Sequence, residues 1–128
     1  MDQYFPHEKL DVYKKSLAFV QRSTPLLGAW PANVAVRDHL DRAGESQLVN
    51  LAKSVRLAAT GQGIYYLECS LGSVLECAAC LDLAAINELI KADQLRDMKG
   101  ELQEIARMEV GLRKNWDARI AEDETKAA

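Results

Sequence analysis

The sequence predicts an all-α fold, an up-down-up-down antiparallel four-helix bundle formed by a single domain. The 128 residues fit one domain. Leu and Ala dominate the composition, whereas aromatic residues make up only 6% of it, which favours helices over sheets. The three prolines all precede residue 32, so the rest of the chain has no proline that would break a helix.

Four segments place apolar residues three and four positions apart, which is the spacing of one helix face. The predicted helices span residues 7–27, 33–59, 64–90 and 93–120. They form one domain of residues 1–120, and residues 121–128 are expected to be a frayed polar tail. The apolar face of the first helix contains Leu10, Tyr13, Leu17, Val20, Thr24 and Leu27.

The third segment is apolar on two sides and contains neither Lys nor Arg. Its two stripes contain Leu67, Val74 and Leu81, and Leu75, Ala79 and Ile86, respectively. A helix that is apolar on two sides is usually buried on two sides. We therefore expect it to be the central helix of the bundle, or to face a second subunit as well.

No catalytic site, metal site or cofactor is predicted, and therefore no enzyme and no small-molecule substrate. Cys77 and Cys80 form a C-x-x-C pair in mid-helix, away from a helix N-terminus that would activate a thiol. They are interpreted as packing residues. His7 and His39 lie in different segments without the further ligands that a zinc site needs.

One group of polar residues lies between the second and third helices. A hairpin that turns near residues 61 and 62 would place Asn50 opposite Ser73, with Glu76 one turn along and Gln47 beside it. Buried polar groups of this kind must be hydrogen-bonded, and such a network can fix the register of two helices. The sequence predicts a structural polar network, and a ligand pocket is the alternative.

The formal net charge is −3, so nucleic acid would need a local basic patch rather than the whole surface. The candidate residues for such contacts are Lys14, Lys15, Arg22, Lys53, Arg56, Arg113, Lys114 and Arg119. The first three are expected to share an outer surface with the end of the fourth helix. Ordinary solvated helix faces are the alternative.

The protein is expected to be soluble and cytoplasmic, with reduced thiols. The sequence contains no run of about 18 apolar residues, so no membrane span is predicted. The first ten residues lack the basic and apolar regions of a secretory signal. The three cysteines are an odd number clustered in one segment, which is not the pattern of a disulfide framework.

Three stretches carry a family pattern, at residues 5–15, 48–52 and 71–77. They resemble a bacterial four-helix-bundle family named for proteins encoded in intervening sequences of large-subunit ribosomal RNA genes. The pattern is also similar to that of the accessory (variability determinant) proteins of diversity-generating retroelements. The most specific matching positions are Asn50, Gly72, Ser73 and Glu76.

The resemblance implies a small bundle without enzymatic activity that often assembles as a ring of five. Relatives tied to retroelements bind a reverse transcriptase and its template RNA through a positively charged ring. We therefore expect a non-enzymatic homopentameric scaffold that binds RNA, a reverse transcriptase, or both. The alternative is a protein–protein interaction module without nucleic-acid contact.

Overall fold

The computed structural model describes residues 4–128, and within them the predicted all-α four-helix bundle is confirmed. The helices are α1 (Asp11–Ala29), α2 (Ala35–Arg56), α3 (Gly61–Ile86) and α4 (Ala92–Ala127), preceded by a short 3-10 helix at Pro6–Lys9. No strand occurs in this part of the chain. Consecutive helices pack against each other, and α1 closes the bundle against α4.

The helix ends differ from the predicted ones in two informative places. The second helix ends at Arg56 and the third begins at Gly61, so the turn between them comes earlier than predicted. The fourth helix continues to Ala127, past the predicted end at residue 120. Its last residues are exposed, but they include good helix formers and neither glycine nor proline, so nothing in the sequence stops the helix.

The core lies along the bundle axis and is made mainly of Leu, Val and Ile side chains together with Phe19. The buried face of α1 is shifted by one residue from the predicted stripe. It contains Val12, Ser16, Phe19, Ser23 and Leu27, whereas most of the predicted stripe lies half-buried at its margin. The two serines are small enough to let neighbouring helices approach, and Ser23 Oγ donates to the Phe19 carbonyl oxygen at 2.8 Å.

The helix α3 is long and apolar enough by length and composition to cross a membrane, in contrast to the expectation from the sequence. Its stripe of Leu67, Val74 and Leu81 is buried inside the bundle, as predicted. A core helix of a soluble bundle can pass the same test of length and composition. The absence of a membrane partner stays a prediction.

The turn between α2 and α3 brings the two backbones very close together. Thr60 caps α3, because its Oγ1 accepts a hydrogen bond from the Gly63 N–H at 3.0 Å. Ala59 has a φ of 57°, in the left-handed region that reverses the chain. A Cβ atom at Gly63 would lie 2.1 Å from the Leu57 carbonyl oxygen, so this position has room only for glycine.

We predict that Gly63→Ala lowers the free energy of unfolding by about 2 kcal/mol or more, because the added methyl group must push two backbones apart. Chemical denaturation followed by circular dichroism measures the change. Gly61→Ala is the matched control, since a Cβ atom there meets nothing within 4 Å. A loss of stability as large in the control as in Gly63→Ala would contradict the steric explanation.

Candidate functional site

The predicted polar network divides into separate groups in the structure. Ser46 Oγ lies 2.8 Å from Ser73 Oγ across the α2–α3 interface. Asn50 does not lie opposite Ser73, since its Nδ2 donates to the Ser46 carbonyl oxygen at 2.9 Å and to Ser46 Oγ at 3.1 Å. The early turn explains the difference, because it moves α2 by about one helical turn relative to α3.

The other two predicted members point elsewhere. Glu76 faces outward and pairs with His39, with 3.0 Å between Oε2 and Nε2, and both side chains are more than half exposed. Gln47 is fully buried and its side chain contacts neither Asn50 nor Glu76 through a hydrogen bond. The four residues therefore do not form one network, although Asn50 and Ser73 do help to set the register through Ser46.

A different polar layer crosses the centre of the bundle, with one residue from each helix. Its members are Ser16 of α1, Gln47 of α2, Ser70 of α3 and Glu109 of α4, and each is at most 1% exposed. We call these four residues the central polar layer. Val20 of α1 packs against Gly44 of the antiparallel α2, which places Ser16 at about the height of Gln47.

Ser70 connects three of the four helices. Its single hydroxyl lies 2.7 Å from the Gln47 backbone oxygen and 2.8 Å from Glu109 Oε1. The Gln47 carbonyl oxygen can only accept, so it takes the Ser70 proton. The contact with Glu109 is then a hydrogen bond only if the Glu109 carboxyl is protonated and donates to Ser70 Oγ. The geometry therefore favours a neutral Glu109.

Burial favours the same protonation state. Desolvation raises the pKa of Glu109 from its ordinary 4.5 to about 7, and the negative charge of Glu68 adds to the increase. Donation of the Ser70 hydroxyl to an ionised carboxylate acts in the opposite direction and only partly offsets the effect of burial. Glu109 Oε2, both side-chain amide atoms of Gln47 and Ser16 Oγ have no hydrogen-bond partner within residues 4–128. The layer is thus polar, buried and incompletely satisfied.

The sequence contained a signal for Glu109. The apolar residues of α4 follow alternating spacings of four and three at Met98, Leu102, Ile105, Leu112 and Trp116. Position 109 fills the gap in that series, so a charged residue occupies a place that the helix buries. Nothing comparable marks Ser16 or Ser70, because serine occurs on exposed and buried faces alike.

The central polar layer offers no evident catalytic pair. It contains a single acid, and its other members are two hydroxyls and an amide. Across residues 4–128, no three His, Cys, Asp or Glu side chains cluster in a way that could hold a metal ion. Cys77 and Cys80 are buried packing residues, and burial raises the pKa of Cys77 to about 12 and also raises that of Cys80.

Several of the candidate basic residues are engaged within the molecule. Lys15 pairs with Glu104 at 3.0 Å, and Arg22 pairs with Glu101. These partners lie in the first half of α4, so α1 does not share its basic residues with the end of that helix as expected. Arg113 instead pairs with Glu68 on α3 and with Asp117 on its own helix.

The remaining basic candidates lie towards the end of the bundle that carries the α2–α3 turn. Lys53 Nζ lies 5.5 Å from the centre of the Tyr66 ring, near the start of α3. The exposed candidates without an ion pair in the described part of the chain are Lys14, Lys53, Arg56, Lys114 and Arg119. The direction of the helices places Arg56, Lys114 and Arg119 near this end. Lys14 lies in the first turn of α1.

The second apolar side of α3 is exposed, so the bundle alone does not bury this helix on two sides. Gly72, Leu75, Ala79 and Ile86 follow one line along the helix, and we call this line the outer stripe. Leu75 is 61% exposed and Ile86 is 76% exposed. Beside it, an open groove of about 780 Å³ runs between α3 and α4, with Leu75, Ala78 and Leu95 among its lining residues.

Comparison with known proteins identifies the family. Residues 8–111 match the family described as 23S rRNA-intervening sequence protein. The chain belongs to this family. None of the curated proteins compared with it shows significant similarity.

A solved structure confirms the fold of this family member. It is the crystal structure, at 1.70 Å resolution, of a protein of unknown function from the S23 ribosomal protein family of Bacteroides thetaiotaomicron. The two chains superpose with a TM-score of 0.72 at 22% sequence identity, over 80% of this chain and 98% of the other. At that identity the likeness concerns the fold alone.

We predict that the stability of the protein falls as the pH rises from about 4.5 to about 7, relative to a Glu109→Gln variant. The unfolded chain releases the Glu109 proton near its ordinary pKa, whereas the folded protein keeps it until about pH 7. The difference between the free energies of unfolding of the two proteins grows by about 1.4 kcal/mol per pH unit, to a total on the order of 3 kcal/mol.

Urea denaturation of both proteins from about pH 5 to about pH 8 measures this difference. Glutamine has the shape of the neutral acid and does not titrate, so the variant should be the more stable protein at pH 8. Parallel pH profiles of the two proteins would show that Glu109 is not held neutral by the fold.

Proposed function

We propose that this protein is a non-enzymatic scaffold that assembles with copies of itself and binds RNA at the basic end of the bundle. The observation that carries the proposal is the outer stripe of α3, which leaves large apolar side chains exposed to solvent. Exposed apolar surface next to an apolar groove is typical of a protein interface. A homopentameric ring is the assembly that the family resemblance favours.

Two helix-interior glycines support a close contact at this face. Gly72 lies on the outer stripe and Gly100 lines the groove, and a Cβ atom at either would meet nothing within 4 Å. Glycine inside a helix is destabilising by about 1 kcal/mol relative to alanine, so neither glycine benefits the isolated chain. Close approach of the backbone of a second subunit would explain why glycine occurs at both positions.

We predict that Leu75→Glu shifts the protein from an oligomer towards the monomer, because it places a charge inside an apolar contact. Multi-angle light scattering measures the mass. Val49→Glu is the matched control, since Val49 is another exposed apolar residue, on α2. The stability of the Leu75→Glu monomer should change by less than about 0.5 kcal/mol. A wild-type protein that is monomeric at micromolar concentration would refute the scaffold.

The RNA part of the proposal rests on the exposed cations near the α2–α3 turn. Arg56, Lys114 and Arg119 have no ion pair within residues 4–128 and lie towards the same end of the bundle. Repetition of this end around an assembly would make a modest patch multivalent for phosphate. The similarity to accessory proteins of diversity-generating retroelements makes a reverse transcriptase a further proposed partner.

We predict that changing Arg56, Lys114 and Arg119 together to Ala weakens binding of structured RNA by roughly tenfold or more and reduces its salt dependence. Fluorescence anisotropy at several salt concentrations measures both. Arg42→Ala is the control, because Arg42 pairs with Asp38 far from the α2–α3 turn. Absence of RNA binding by the wild type at low salt would refute this part and leave the scaffold intact.

The second candidate function is a protein–protein module without nucleic acid. The internal ion pairs of Lys15, Arg22 and Arg113 favour it, because these side chains are already neutralised, and so does the net charge of −3. A protein partner that co-purifies after nuclease treatment, combined with no RNA binding, would support this function over the first.

A further inference from the structure

The tip of the α2–α3 hairpin combines a basic surface with exposed aromatic rings. No acidic residue occurs from Ser46 to Leu67, a stretch that contains Lys53 and Arg56. In a protein of net charge −3, an acid-free segment with two cations is a local reversal of the charge. The nearest acid along the chain after it is Glu68, which is paired with Arg113.

The rings and one of these cations form a continuous group. Tyr65 is 62% exposed, and its ring packs edge-on against Tyr66 with 5.4 Å between the ring centres. The Lys53 ammonium lies over the other ring, 5.5 Å from the centre of Tyr66. The supporting contact orients Tyr65 while leaving most of its ring open to solvent. We call Lys53, Arg56, Tyr65 and Tyr66 the hairpin-tip surface.

We propose that the hairpin-tip surface binds an unpaired RNA strand, with a base stacked on Tyr65 and the neighbouring phosphates held by Lys53 and Arg56. This inference rests on the RNA binding proposed above and specifies the form of RNA that the site takes. A tyrosine ring can stack only on a base whose face is open. In a duplex the faces are covered by neighbouring base pairs, so a duplex can use the cations but not the ring.

The experiment compares a short unstructured RNA with a duplex of the same sequence, by fluorescence anisotropy with the full-length protein. Tyr65→Ala should weaken binding of the single strand by roughly tenfold, the size expected when one stacked base is lost, and should leave duplex binding unchanged. Tyr65→Phe keeps the ring and should keep the affinity. Val110→Ala, another exposed apolar position, is the control on α4.

Different outcomes separate this inference from the proposed function. RNA binding that depends on Arg56, Lys114 and Arg119 but not on Tyr65 would overturn the stacking site and leave the proposed function standing. Equal losses for single strand and duplex would also overturn it. If Tyr65→Ala changes the mass in light scattering together with the affinity, Tyr65 belongs to a subunit contact and the inference is wrong. No binding of either RNA by the wild type would refute both this inference and the RNA part of the proposed function.

Discussion

The Ser70 hydroxyl joins α2, α3 and α4 at the centre of the bundle, and its two contacts depend on the register that the α2–α3 turn imposes. Gly63 allows the backbones to approach at that turn, and Thr60 starts α3 there. Because the turn comes early, Ser46 meets Ser73 on the surface side while Ser70 meets the Gln47 backbone inside. The central polar layer is therefore a consequence of the geometry at the end of the hairpin.

A buried acid in this layer limits the ways in which the helices can pack. An ionised Glu109 would be costly in the core. The neutral acid can form a hydrogen bond with the Ser70 hydroxyl through Oε1, and only Oε2 is then left without a partner. Any register that moved α4 by one turn would bury Glu109 against apolar side chains instead. Polar residues at the centre thus provide specificity that a uniformly apolar core of Leu and Ala would lack.

The outer surface has a different organisation from the core. Ion pairs neutralise several cations along α1 and α4, and the outer stripe of α3 exposes Leu75 and Ile86. Arg56, Lys114, Arg119 and Tyr65 lie towards the end with the α2–α3 turn. A chain of net negative charge can therefore separate a face suited to protein contact from an end suited to phosphate.

The sequence by itself determined the helix class, the number of helices and the two-sided apolarity of α3, because these follow from local spacing and from the positions of proline and glycine. It did not determine which polar residues meet, since a turn placed a few residues earlier exchanges Asn50 for Ser46 as the partner of Ser73. Position 109 could be recognised as buried from the spacing in α4. That Ser16, Gln47, Ser70 and Glu109 form one layer was decided only by the tertiary structure, because packing sets the relative heights of four helices.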